Sequence, residues 1–316
     1  MQKRLFLITF FWVAFTTLLI SFTIKTTNQN TSMNTVTKKT TLKVEVFKGK
    51  AASVNSYLFT NGHSAIVMDV LRSSEEAKKL AKWIQSKQLP LTHILITHGH
   101  PDHYTGMDVL HKEFPQAKIV VANQDIKNDI KSFSTWMESV GWLEAEPALK
   151  PKSEKNPNGF DYDGLIEVLN SSTLTLQGGG TLELETIYQP AEAEHLTTVY
   201  SKDLNAFFTS DFCYNGVHLW LGNGVDQIHI NNWKAQLVKF KAKYANSQPI
   251  IYPGHGEAST IELFDVVTKY IQQFEKVTQH AKTKKEAMAA MQKLYPTWTQ
   301  ADFLLLHSVD FHVQEK

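Results

Sequence analysis

Thr97-His98-Gly99-His100-Pro101-Asp102-His103-Tyr104 packs three imidazoles and a carboxylate into one short stretch, directly after the largely apolar run His93-Ile94-Leu95-Ile96. The apolar run reads as a buried strand, and the cluster as the loop on which it ends. Packing alone gives no reason to crowd these groups, because each ring nitrogen and each carboxylate oxygen needs a polar partner. A divalent cation satisfies them together. With 13 His and 13 Asp in 316 residues, a His-x-His-x-Asp-His spacing arises by chance in about one such chain in a thousand. It is therefore read as a metal site and not as a His-rich surface loop.

Three later segments each bring another metal-binding side chain to a strand end. Tyr188-Gln189-Pro190-Ala191-Glu192-Ala193-Glu194-His195 leads into the strand Leu196 to Ser201, and Ala206 to Asp211 closes the next strand on a carboxylate. Pro249 to Gly256 closes the last one on His255, held between glycines where the backbone can turn tightly. Singly, each would pass for a hydrogen-bonded structural residue. As an ordered set they supply the ligands that two metals would still lack.

The elements that must position these residues follow from the pattern. Leu42 to Phe47, Ser53 to Thr60 and Ala65 to Leu71 are strand-like runs separated by Gly-containing turns. Ser73-Ser74-Glu75-Glu76 opens a helix, Thr92 to Ile96 is the strand that delivers the histidine loop, Tyr104 to Phe114 a helix and Ala117 to Ala122 a strand. The stretch 124–164 interrupts the alternation as a lid or an edge helix. Within it Trp136, Met137 and Trp142 are read as core in preference to pocket lining. Strands return from Ile166 to Pro190, with Gly178-Gly179-Gly180 as a hairpin turn and not a phosphate loop. Asn231 to Tyr244 and Ile261 to Gln314 are helical in pattern, and His307 and His312 within them read as structural or exposed.

Composition bounds the function. At 42% hydrophobic and 20% charged, the chain can bury one large core. Its formal charge is +1, and without Lys3, Arg4 and Lys25 the balance is 29 basic against 31 acidic residues. The slightly acidic body argues against a nucleic-acid partner. Residues 5–24 carry no charge and follow Lys3 and Arg4, which suits either a secretory signal peptide or a membrane anchor. The expected organisation is a leader over 1–24, a Thr/Asn/Ser-rich linker over 25–41 and a catalytic domain over 42–316, placed outside the cytoplasm as a periplasmic or secreted protein or one anchored through 5–24. With Cys213 as its single cysteine, the chain can form no intrachain disulfide.

In the order His98-x-His100-x-Asp102-His103, then His195, Asp211 and His255, the chain resembles the metallo-β-lactamase superfamily over about residues 42 to 257. The resemblance implies a four-layer αββα sandwich of class α/β with a dinuclear site at one edge. It assigns His98, His100 and His195 to one metal, Asp102, His103 and His255 to the other, and Asp211 as the bridge. Two departures stand out: Glu194 occupies a place where many members carry glycine, and Cys213 follows Asp211 by two positions. Glu194 either narrows the pocket or faces solvent, and Cys213 is read as a buried apolar residue before a ligand. Tyr214 looks like the tyrosine that, in lactonases of the superfamily, hydrogen-bonds the substrate carbonyl. Asp69 is expected to support a ligand histidine, and His218 and Trp220 to lie on a loop beside the pocket.

Histidine and carboxylate ligands suit two Zn2+ per chain, with manganese or iron as alternatives. Such a pair gives a hydroxide nucleophile at neutral pH, which implies hydrolysis of an ester, lactone, thioester or amide in a small-molecule substrate. The bridging Asp211 makes the chain more lactonase-like than β-lactamase-like, and Asp102 and Tyr214 are the expected catalytic groups. A β-lactamase and an iron-dependent redox member are the alternatives. A nuclease would show a basic surface, and a scaffold protein would have lost ligands.

Overall fold

The computed structural model describes residues 41–314. The apolar stretch 5–24 and most of the linker lie outside the described residues. No helix among the described residues is long and apolar enough to cross a membrane.

Two sheets stack face to face. The first contains β1 (Lys43–Lys48), β2 (Asn55–Thr60), β3 (Ala65–Met68), β4 (Leu91–Leu95), β5 (Lys118–Val121) and β6 (Ile166–Val168), side by side in that order. Its first three strands are antiparallel, and β3 to β6 run parallel, which requires helical crossovers. Those crossovers include α1 (Ser74–Gln85), α2 (Pro101–Tyr104), α3 (Met107–Glu113), α4 (Gln124–Ser139) and α5 (Tyr162–Leu165). The second sheet holds β7 (Thr173–Thr175), β8 (Thr181–Glu185), β9 (Thr198–Ser201), β10 (Ala206–Asn215) and β11 (Ile250–Gly256), in the spatial order β11-β10-β9-β8-β7. It is covered by α6 (Gln227–Tyr244), α7 (Leu263–His280), α8 (Lys284–Leu294) and α9 (Leu306–His312).

Burial follows this layering. Tyr57, Phe59, Ile66, Met68, Leu95 and Val120 of the first sheet meet Leu182, Leu184, Val199 and Phe208 of the second in a core between the sheets. Phe208 sits at its centre, edge-on to Phe59 at 4.8 Å and stacked on Tyr252 at 4.7 Å. The opposite face of the first sheet packs on Leu80, Ile84, Leu110, Ile126 and Ile130, and that of the second on Trp233, Phe240, Phe264 and Tyr270. The αββα architecture expected from the sequence is the one observed.

The local departures have physical reasons. β3 ends at Met68, three residues before the expected Leu71, because Asp69 and Leu71 take φ of 60° and 74° and turn the chain out of the sheet. The helix expected over Tyr104 to Phe114 is two helices, broken at Thr105-Gly106. A Cβ on Gly106 would lie 2.0 Å from the Val70 carbonyl oxygen, so the chain passes there only as glycine. The glycine triplet is the hairpin turn between β7 and β8, as expected, with all three residues at positive φ.

One buried histidine ties the C-terminal helices to the second sheet. His218 is fully buried, its Nδ1 lies 2.8 Å from the Tyr270 hydroxyl, and its backbone N–H donates to the Thr299 carbonyl at 3.0 Å. Burial pushes its pKa from 6.5 down to about 4. Between those values the unfolded chain binds a proton that the folded chain refuses, so stability present above pH 6.5 is lost as the pH falls toward 4. From this residue alone, urea denaturation is expected to show a loss of about 2 kcal/mol between about pH 7 and 5. His218→Gln should flatten that part of the pH dependence, and an unchanged slope would contradict the reading.

Candidate metal centre

The end of β4 and the loop after β3 form the floor of the site. Asp69 accepts from the Thr97 N–H and the Thr97 hydroxyl, each at 2.9 Å, and from His103 Nδ1 at 2.8 Å. Because a carboxylate only accepts here, His103 carries a proton on Nδ1 and, when the ring is neutral, a lone pair on Nε2. The Thr97 hydroxyl has spent its one hydrogen on Asp69, so it accepts from His98 Nδ1, 3.0 Å away, and His98 Nε2 is left unprotonated as well. On the opposite sheet, His255 Nδ1 donates to the Ala52 carbonyl at 2.8 Å, with the same result.

When the rings are neutral, these Nε2 atoms turn lone pairs toward carboxylates. His103 Nε2 is 3.2 Å from Asp211 Oδ1, His255 Nε2 is 3.1 Å from Asp211 Oδ2, and His98 Nε2 lies 3.8 Å from Glu192 Oε2. Lone pair opposed to carboxylate is repulsive unless a cation lies between them. His98 Nε2, His103 Nε2, Glu192 Oε2 and Asp211 Oδ1 are all buried without a hydrogen-bond partner. Separations of 3–4 Å are what ligand atoms about 2.1 Å from a shared ion show, the edge of such a tetrahedron being about 3.4 Å. The residues present therefore fit a metal. They fall into two groups, His98, His100, Glu192 and Asp211 in one and Asp102, His103 and His255 in the other, with Asp211 in contact with both.

Electrostatics across the cluster follow from burial and these contacts. Burial would raise the Asp211 carboxyl, but His103 and His255 hold it well below the ordinary carboxylate range. Glu192 is 1% exposed and is pushed up by burial. Burial lowers His98 well below the usual imidazole value, whereas for His100 the contact with Glu192, 3.1 Å away, overcomes burial and raises it to about 9. The Tyr214 hydroxyl donates to Asp211 Oδ2 at 2.6 Å and lies 3.2 Å from Glu192 Oε1, and its ring stacks on His255 at 4.4 Å. Backbone strain concentrates here too: Ala52, Ser53, Asp69, Leu71 and Ser210, five of the nine non-glycine residues at positive φ among the described residues, flank the site. Gly254 lets β11 approach Asp211, since a Cβ there would stand 1.9 Å from Asp211 Oδ1.

Six of the seven ligands expected from the sequence converge: His98, His100, Asp102, His103, Asp211 and His255. His195 does not join them. Its Nδ1 pairs with Asp129 Oδ2 of α4 at 2.8 Å, and its side chain is 40% exposed. The loop before β9 is tightly bent, with the Ala191 N–H donating to the Ala193 carbonyl at 3.0 Å, and Glu192 rather than His195 falls within the cluster. Glu192 takes the inner place. Sequence reasoning passed over it because a loop glutamate ordinarily faces solvent, which is what Glu194 does beside His229 at 3.1 Å. Cys213 packs in the core behind the second sheet with its thiol pushed up by burial. The ladder irregularity between Ser210 and Tyr214 turns it away from Asp211.

Above the centre opens a cavity of about 600 Å³ whose lining includes His100, Asp102, Glu192, Asp211 and Tyr214. Phe133, Trp136 and Trp142 form one wall, and Trp220, Phe303 and Phe311 the other. This corrects the expectation that Trp136 and Trp142 are core: they are 43% and 53% exposed and pack edge-on to each other at 5.0 Å, whereas Met137 is buried. Trp220 lines the cavity as expected, and His218 lies behind it in the core.

Metal content separates the two candidate ligands. Glu192→Ala is expected to lower bound metal by at least one-third of the wild-type content, and His195→Ala to leave it unchanged, by plasma mass spectrometry on purified protein. The opposite pattern would restore His195 to the centre.

Comparison with known proteins agrees with this geometry. Residues 49–255 match the family model described as the metallo-beta-lactamase superfamily. A metallo-beta-lactamase from Pontibacter korlensis superposes with a TM-score of 0.50 at 16% identity, covering 73% of this chain and 94% of that one. A metallo-beta-lactamase from Hirschia baltica gives 0.48 at 18% identity, covering 73% and 92%. The uncharacterized protein YobT of Bacillus subtilis (strain 168) is 32% identical over 72 residues, which span 23% of this chain and 30% of that protein's length. The chain belongs to the metallo-beta-lactamase superfamily.

Proposed function

We propose that the centre holds two zinc ions and hydrolyses an ester or lactone bond of a largely apolar small molecule, an amide being the less favoured substrate. The single observation that carries this reading is the pair of ligand groups meeting at Asp211 on the floor of an aromatic cavity. Bound there, two divalent cations would supply Lewis acidity and a water acidic enough to act as a nucleophile near neutral pH.

The chain's own residues do the rest. Asp102 has the most open carboxylate of the cluster, 15% exposed against 2% for Asp211 and 1% for Glu192. It lines the cavity and is placed to accept a proton from water on its floor. Tyr214 sets its hydroxyl against Asp211 and Glu192, so its first role is to hold the carboxylates in register, and it would serve a substrate carbonyl on the cavity side by turning its one hydrogen from Asp211. The indole and phenyl walls exclude water and accept an apolar body. The apolar leader over 5–24 supports placement outside the cytoplasm.

Glu192 also favours a second metal reading. With it, each half of the centre has two imidazoles and a carboxylate besides Asp211, a donor set that suits iron or manganese as well as zinc. Metal analysis with turnover of a lactone, an aryl ester and a β-lactam on the same sample tests both points. Two zinc per chain with lactone or ester turnover is the expected result. β-Lactam turnover alone would move the substrate class, and iron with no hydrolysis would reject the mechanism.

A further inference from the structure

Arg72 is the only arginine among the described residues, in a chain whose other cations there are lysines. It follows directly on the strained loop after β3 that carries Asp69. That loop is pinned to the metal-binding motif at two points: the Val70 N–H donates to the His103 carbonyl at 2.8 Å, and the Gly106 N–H to the Leu71 carbonyl at 3.2 Å. The same backbone that places Asp69 against His103 thus fixes Arg72 relative to the metal centre.

Arg72 is partly buried and lines the cavity together with Asp102 and His100. No lysine lines that cavity. A guanidinium on a largely apolar wall with its donors unused is suited to receive an anion. Among the described residues Arg72 has no hydrogen bond and no carboxylate within ion-pair distance. The acids that might serve are engaged elsewhere: Glu146 accepts from Ser74, Asp310 pairs with Lys284 at 3.0 Å, and Asp102, Glu192 and Asp211 belong to the metal centre.

We propose that Arg72 is a specificity-determining residue that binds a carboxylate of the substrate. The substrate is then an amphiphilic monocarboxylate whose apolar body lies on Trp136 and Trp142 and whose scissile bond falls between the two contacts. A single negative charge is favoured over a dianionic phosphate because the lining holds one arginine and no lysine to match it. The planar fork of arginine matches a carboxylate with two parallel hydrogen bonds, which a lysine would not reproduce. This inference rests on the hydrolase reading for the location of the scissile bond, and on the cavity alone for the anion.

The test is binding, read without turnover. Three indoles line the cavity, so intrinsic tryptophan fluorescence of the metal-loaded protein reports its occupancy. The probes are 4-phenylbutyrate and its neutral amide. Wild type is expected to bind the carboxylate at least about tenfold more tightly than the amide, the size of a charge-assisted pair. Arg72→Ala should abolish that preference with amide affinity and metal content unchanged, and Arg72→Lys should keep part of it. Equal binding of both probes to wild type, no response to either, or a preference that survives in both variants because the metals bind the carboxylate would each overturn the proposal. A protein that hydrolyses no substrate yet shows the Arg72-dependent preference would separate this inference from the hydrolytic one.

Discussion

The structure turns on one electrostatic constraint: the Asp211 carboxylate, almost fully buried, faces the His103 and His255 Nε2 atoms at 3.2 and 3.1 Å, and positive charge, a proton on each ring or a metal ion, must lie between them. In a low-dielectric interior such an arrangement is costly unless positive charge fills the gap. Each histidine has its outer nitrogen committed to a partner, so the inner nitrogens are all turned toward the buried acids. Those inner nitrogens are the atoms at which a metal would replace protons.

Much of the surrounding irregularity serves that arrangement. Asp69 at φ 60° turns its carboxylate toward His103 and Thr97, and Ser210 at φ 46° brings its hydroxyl to 3.3 Å from His98 Nδ1. Gly254 leaves room for Asp211 where any side chain would collide with it. Strained backbone of this kind costs about 1–3 kcal/mol per residue and persists because the cores on both sides over-determine it. The two sheets meet at the site through the bridges Val54 to His255 and His98 to Leu196, so inter-sheet packing and ligand geometry are one construction.

How much of this the sequence disclosed depends on how local each signal is. The apolar strands, the helix caps and the His98 to His103 cluster are short-range patterns, and the layered fold and six of the gathered side chains follow from them. Glu192 and His195 lie three residues apart on one loop, and which of them turns inward depends on a hydrogen bond inside that loop and on Asp129 from a distant helix. Residue type and order point to histidine as the ligand, whereas the residue gathered with the others here is the glutamate. Trp136 failed for a related reason: helical spacing marks the apolar face of α4 but does not reveal that Met137 meets the sheet while its neighbour looks onto a cavity built by residues far along the chain. Arg72 gave one faint signal, being one of two arginines, with Arg4, in a lysine-rich chain.

A metal-loaded crystal structure with anomalous scattering recorded at the absorption edge of the bound element tests the central claim most directly. Two peaks flanking Asp211 are predicted, one enclosed by His98, His100 and Glu192 and the other by Asp102, His103 and His255, with His195 still on Asp129. A peak ligated by His195 with Glu192 swung out, or no peak beside Asp211, would contradict it.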